Sequence, residues 1–227
     1  MPDKESIIFH LAIEGDINMN IINNYRDLSI GMYLDICDVD KREDLSDIEK
    51  QVSIISLLSG MAEEEIYNLP LDEYTKLATQ THFLSSPYDG EVLVAKTYHV
   101  GGWELKPIED FRKITTAQYV DFQTFAKDCE NNIVELLSTM VVPKGKKYNQ
   151  DYDVVEVQKA LRQHLSVADA MTLYAFFFVQ YGQLIKDSLT FSKEAAMKLR
   201  DPEKKKRVMR EILRQEALLK NGDGLRM

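Results

Sequence analysis

Four histidines and two cysteines are the first places to seek chemistry in this chain of 227 residues, and their spacing supplies none. His10, His82, His99 and His164 lie in separate stretches, and none has a second His or Cys at i+3 or i+4. No CxxC or HExxH spacing occurs, so a zinc site would need distant groups to converge. VPKGKKYN (142–149) holds a Gly-Lys pair but lacks the earlier Gly and the following Ser or Thr of a phosphate cradle, and it reads as a solvated loop. Gly101-Gly102 falls inside a hairpin pattern, a context that excludes a dinucleotide fingerprint. GxSxG is absent, and neither Cys37 nor Cys129 sits in a nucleophile signature. One carboxylate pair asks for a closer look. LSIGMYLD (28–35) and ITTAQYVD (114–121) agree in residue class at most positions, and each ends in an aspartate. Asp35 and Asp121 could converge about 5–9 Å apart as a catalytic pair. The simpler reading gives each a polar helix face or a hydrogen bond to a neighbouring unit, with Tyr33 and Tyr119 as packing groups. The expectation is a protein that is not an enzyme, with no cofactor and no metal.

The octets matter more as helix openings. Ser29 and Thr115 suit N-caps, and apolar residues follow at helical spacing. QVSIISLLSGM (51–61) is echoed by ENNIVELLSTM (130–140), and LPLDEYTKL (69–77) by LSVADAMTL (165–173). Three echoes in one order predict an internal duplication, with 141–158 as an insert broken by Pro143 and Gly145. Ser46 or Asp47 caps the helix before Gly60, and Pro70 suits a first turn. SIIFHLAIEGDINMNII reads as an extended lead-in with a Glu14-Gly15-Asp16 turn. Val92, Val94, Lys96 and Tyr98 alternate ahead of Gly101-Gly102, and Trp103-Glu104-Leu105 returns, which predicts a hairpin ending at Pro107. That hairpin is expected to be an accessory sheet and not part of the core. MTLYAFFFVQYGQLIKDSLTF (171–191) predicts a buried central helix, and Asp201-Pro202-Glu203 opens a last helix. The expected fold is mainly α: two similar lobes (1–88 and 89–191, the second led by the hairpin) and a basic C-terminal helix and tail (192–227).

Charge and composition narrow the function. The chain carries −9 overall, yet residues 193–220 hold ten Lys or Arg against five Asp or Glu. An acidic body argues against wrapping DNA, so nucleic acid could be met only through the tail, at Lys204, Lys205, Lys206, Arg207, Arg210 and Arg214. The same end could meet an acidic partner or this protein's own body. No apolar run reaches the 18–20 residues of a membrane span. The opening residues do not read as a secretion signal, and two cysteines make no disulfide framework, so a cytoplasmic protein is expected.

The unit pattern resembles the small helical tail assembly chaperones of tailed bacteriophages. The resemblance rests on Leu28, Ser29, Leu57, Leu58, Gly60, Glu63–Ile66, Leu69 and Asp72. It spans residues 25–85 and, more diluted, 110–180, and leaves out the hairpin and the basic tail. The chain is also similar to structural-module proteins of phages that infect Bacteroides-type hosts. The resemblance implies a non-catalytic morphogenesis protein working in the host cytoplasm. It would bind segments of other tail, baseplate or connector proteins in apolar grooves between helices. Tyr33, Leu34, Leu57, Leu58, Tyr74, Tyr119, Phe122, Leu136, Leu137, Phe177 and Tyr181 are the candidate contact residues. Two alternatives stand beside it: a permanent virion component (connector, tail ring subunit or packaged cargo), in which self-association is expected, and a nucleic-acid-binding module using the basic helix.

Overall fold

Caps decide where this chain turns helical. Ser29 is extended and accepts the Met32 N–H, so α1 begins at Ile30 and runs to Asp40. Ser46 and Glu49 cap each other reciprocally at the start of α2, Asp47–Ser59, which Gly60 closes with φ of 74°. Two short helices follow, α3 (Glu63–Tyr67) and α4 (Leu71–Gln80). Pro70 stands at the cap of α4, one residue ahead of its expected place in the first turn. The second series opens on Thr115, which caps α5 (Thr116–Phe125), and continues with α6 (Ile133–Met140). Asp153 caps α7 (Val154–His164), and Ser166 caps α8 (Val167–Met197). Asp201 receives the Glu203 and Lys204 N–H groups and opens α9, Pro202–Lys220. The computed structural model describes residues 21–90 and 93–220, with side chains to 214. The N-terminal lead-in up to residue 20, including His10, lies outside the described residues.

The fold is mainly helical with one small antiparallel sheet, in the order β1 (Tyr98–Val100), β2 (Trp103–Pro107), β3 (Val141–Pro143). Val100 pairs with Trp103 across Gly101 and Gly102, whose φ values of 54° and 83° suit a primed two-residue turn. Three expectations need correction. First, β1 begins only at Tyr98, and among the described residues Leu93–Thr97 are not strand. Second, the insert after α6 supplies a third strand, with Leu105 opposite Pro143. Third, the sheet is not accessory. Tyr98, Val100, Leu105 and Val141 belong to the largest core cluster, and Leu105 is fully buried.

The helices pack in two series. α1 packs on α2, and α2 on α3 and α4; α5 packs on α6, and α6 on α7 and α8. Each series has its own core. One gathers Ile36, Val52, Ile55, Leu58, Ile66 and Leu77, and the other Phe122, Leu136, Leu137, Leu161, Leu173 and Phe177. The two are stitched together at α1. Ile30 and Leu34 face the second core and Ile36 the first, while Val167 of α8 returns the exchange by joining the first. Backbone bonds seal the joint: Ile30 N–H donates to Leu165 at 2.9 Å and Val167 N–H to Leu28 at 2.8 Å, pairing the capping residues Ser29 and Ser166.

α8 is longer than expected. It runs for 31 residues, begins ahead of the expected 171 and crosses the expected boundary at 191/192. Its last turns pack on α9 through Leu189, Ala196 and Ile212 in a small third cluster. Among the described residues no helix is long and apolar enough to cross a membrane.

Candidate functional site

Among the described residues, the groove between the two helical series is a concave feature with a mostly apolar lining. α1 forms one wall, and it lies tight against α7: a Cβ on Gly31 would meet the Arg162 carbonyl oxygen at 2.6 Å. Asp35 reinforces this contact by accepting from the Arg162 guanidinium at 2.7 Å. The opposite wall is α8, and the floor is the turn leading into α6. Together they enclose about 410 Å³, with Tyr33, Leu34 and Cys37 on one side, Met171 and Tyr174 on the other, and Cys129 and Ile133 between them. A salt bridge from Lys41 to Glu130, 3.3 Å long, spans the exposed rim.

Both cysteines therefore face the same recess, each beside a tyrosine. Burial pushes the Cys37 thiol up from its ordinary range, with the hydrogen-bonded Tyr33 hydroxyl acting the other way. Burial also raises Tyr33, and the neighbouring Cys37 adds to it. Tyr174 donates to the Cys129 sulfur at 3.8 Å, and its own hydroxyl is pushed well up, first by burial and then by that bond. Burial thus favours the protonated forms of Cys37, Tyr33 and Tyr174. They offer hydroxyl and thiol edges around an apolar recess, a lining suited to apolar side chains flanked by a few backbone polar groups.

The candidate residues divide into three sets. Tyr33 and Leu34 line the groove. Leu57, Tyr74 and Tyr181 are partly buried against the cores, and Tyr119 is exposed beside the Tyr181 hydroxyl. Leu58, Phe122, Leu136, Leu137 and Phe177 are a correction: they are buried core side chains with no surface for a partner. Their helical spacing fits a groove-facing stripe, but it is equally the spacing of any buried stripe. Asp35 and Asp121 are not brought to a shared site. Asp35 holds Arg162, whereas Asp121 accepts from the Tyr148 hydroxyl at 3.0 Å. On α9, Lys204, Lys206, Arg207, Arg210 and Arg214 are exposed, while Lys205 is half-buried and donates to the Met197 carbonyl. Among the described residues no group of three His, Cys, Asp or Glu side chains is placed to hold a metal ion. The groove residues missed from the sequence are Cys37, Cys129, Ile133, Met171 and Tyr174. Only Cys37 carried a signal, one turn beyond Tyr33 on the same helix face.

Comparisons with protein-family models, curated proteins and solved structures find no match to this chain.

Proposed function

We propose that this protein is a non-catalytic phage morphogenesis factor, similar to a tail or baseplate assembly chaperone. In this reading the groove between α1 and α8 holds an apolar or amphipathic segment of another phage structural protein until assembly proceeds, in the host cytoplasm. The observation that carries the reading is the groove itself. It is open, lined by Tyr33, Leu34, Met171 and Tyr174, and Met171 stays 46% exposed although its neighbours Thr172 and Leu173 are buried. An amphipathic segment recognised in this way contributes apolar anchors at helical or strand spacing.

The test is co-expression with the neighbouring tail, baseplate and connector proteins, using Leu34→Arg and Met171→Arg to place charge on either wall. The expected outcome is that a co-purifying partner falls at least about tenfold in both variants, a loss of about 1.4 kcal/mol or more. Maleimide labelling of Cys37 and Cys129 in the unaltered protein should slow when the partner is present. A partner retained equally by both variants, with unchanged labelling, would remove the reading. The α8–α9 pair favours a second reading, a permanent tail or connector ring subunit. Mass spectrometry of purified particles separates the two, because a ring subunit is present at fixed copy number and a chaperone is absent.

A further inference from the structure

The charge of this molecule is sorted along its length. Residues 21–88 hold thirteen Asp or Glu against five Lys or Arg, whereas residues 193–214 hold nine Lys or Arg against four Asp or Glu. These segments sit at opposite ends of α8. Val167, at its start, is part of the core formed by the first helical series, while Leu189 and Ala196, near its end, pack on α9. A helix of 31 residues is about 46 Å long. The short turn between α8 and α9 then places Lys204, Lys206, Arg207 and Arg210, all exposed, around the far tip of the helix pair. At that distance ordinary salt screens the attraction between the two ends of one molecule.

Both ends also expose apolar side chains. On the acidic end, Ile48, Tyr67 and Leu71 are exposed, Leu71 by 79%. Desolvation raises the Tyr67 hydroxyl first, and Glu49 and Glu63 lie close enough to add to it; Glu63 accepts from the Ser53 hydroxyl at 2.6 Å. The first turns of α2 and α4 add Asp47 and Asp72. On the basic end, Phe191, Met197 and Leu213 are exposed, Phe191 by 74%. Each surface thus combines one sign of charge with large apolar groups, and the signs are opposite.

We infer that the basic α8–α9 tip of one molecule docks on the acidic α2–α4 face of a second copy. This head-to-tail contact is heterologous, so it propagates into a ring or a filament and does not stop at a symmetric dimer. Opposed potentials bring the copies together and set their orientation, and burial of the apolar groups holds them. The inference is independent of what occupies the groove.

The experiment is sedimentation velocity on the full chain across concentration and salt, with two charge-reversed variants. One is Lys206→Glu with Arg210→Glu, and the other is Glu64→Lys with Asp72→Lys. All four residues are exposed. In about 0.05 M salt the mean mass should rise with concentration to at least twice the monomer's 26.2 kDa, and about 0.5 M salt should return it to monomer. Each variant alone should stay monomeric, and an equimolar mixture of the two should regain association, because the reversed tip matches the reversed face and the native tip the native face. Monomeric behaviour of the unaltered chain at about 100 µM in low salt, a concentration that would reveal contacts of micromolar to near-millimolar strength, overturns the inference. So does association that survives Lys206→Glu with Arg210→Glu, or a mixture that fails to associate. Retention of duplex DNA that Lys206→Glu with Arg210→Glu abolishes, by a chain monomeric without DNA, would assign the tip to nucleic acid and also overturn it.

Discussion

At the residue scale, this molecule separates side chains that matter for folding from those that face outward, and the two sets look alike in sequence. Phe177 is fully buried and stacks edge-on against Phe111 and Phe176. Phe177→Ala should lower the unfolding free energy by about 3–5 kcal/mol in urea titration, through lost burial and the cavity left behind. Tyr33→Phe removes only a hydroxyl at the groove edge and should cost about 1 kcal/mol or less. Both are aromatic residues on helices, and periodicity alone could not rank them. Caps were easier to read. Ser29, Ser46, Gly60 and Thr115 do what their types favour, because a cap is satisfied within three or four residues of itself. The aspartate pair was legible only as two structural groups. Which partner each would find, Arg162 or Tyr148, depends on chain 127 or 27 residues away.

At the element scale, α1 belongs to both halves. One face, with Ile30 and Leu34, meets the second core, the other, with Met32, Tyr33 and Ile36, meets the first, and Gly31 lets it approach α7. Gly31→Ala tests this directly. Alanine gains up to about 1 kcal/mol of helix propensity over glycine. The added Cβ, however, would press on a backbone oxygen, and overpacking costs about 1–3 kcal/mol. The clash should win, so the urea midpoint should fall with an unchanged m value. A rise in the midpoint would show that α1 and α7 can move apart freely. The sheet teaches the opposite lesson about legibility. Gly101-Gly102 announced its turn, but β3 has three residues and ends on Pro143, too short for an alternating pattern to stand out. Its strand character comes from pairing with β2, which is non-local. The end of α8 is misplaced for a related reason: Ser192, Lys193 and Glu194 carry no apolar stripe, and packing of Leu189 and Ala196 on α9 holds the helix to Met197.

At the scale of the whole molecule, buried tyrosines tie stability to pH. Burial raises the hydroxyls of Tyr98, Tyr148, Tyr152 and Tyr174 above the ordinary value of 10.0, and Asp121 raises Tyr148 further. The unfolded chain therefore releases these protons first. Their contribution is complete below pH 10 and is lost as pH rises through the folded values. The urea midpoint should stay level from about pH 7 to 9 and drop steeply above about pH 10, and Tyr148→Phe should blunt the drop. The sequence by itself determined the helical class, most of the helix caps and the segregation of charge, because each follows from side-chain type and short-range spacing. Only the tertiary structure decided that the sheet lines the core, that α1 is shared, and that Cys37, Cys129 and Tyr174 meet in one groove. Those results arise where segments distant in the chain bury surface against each other, and local spacing carries no record of which segment will be the partner.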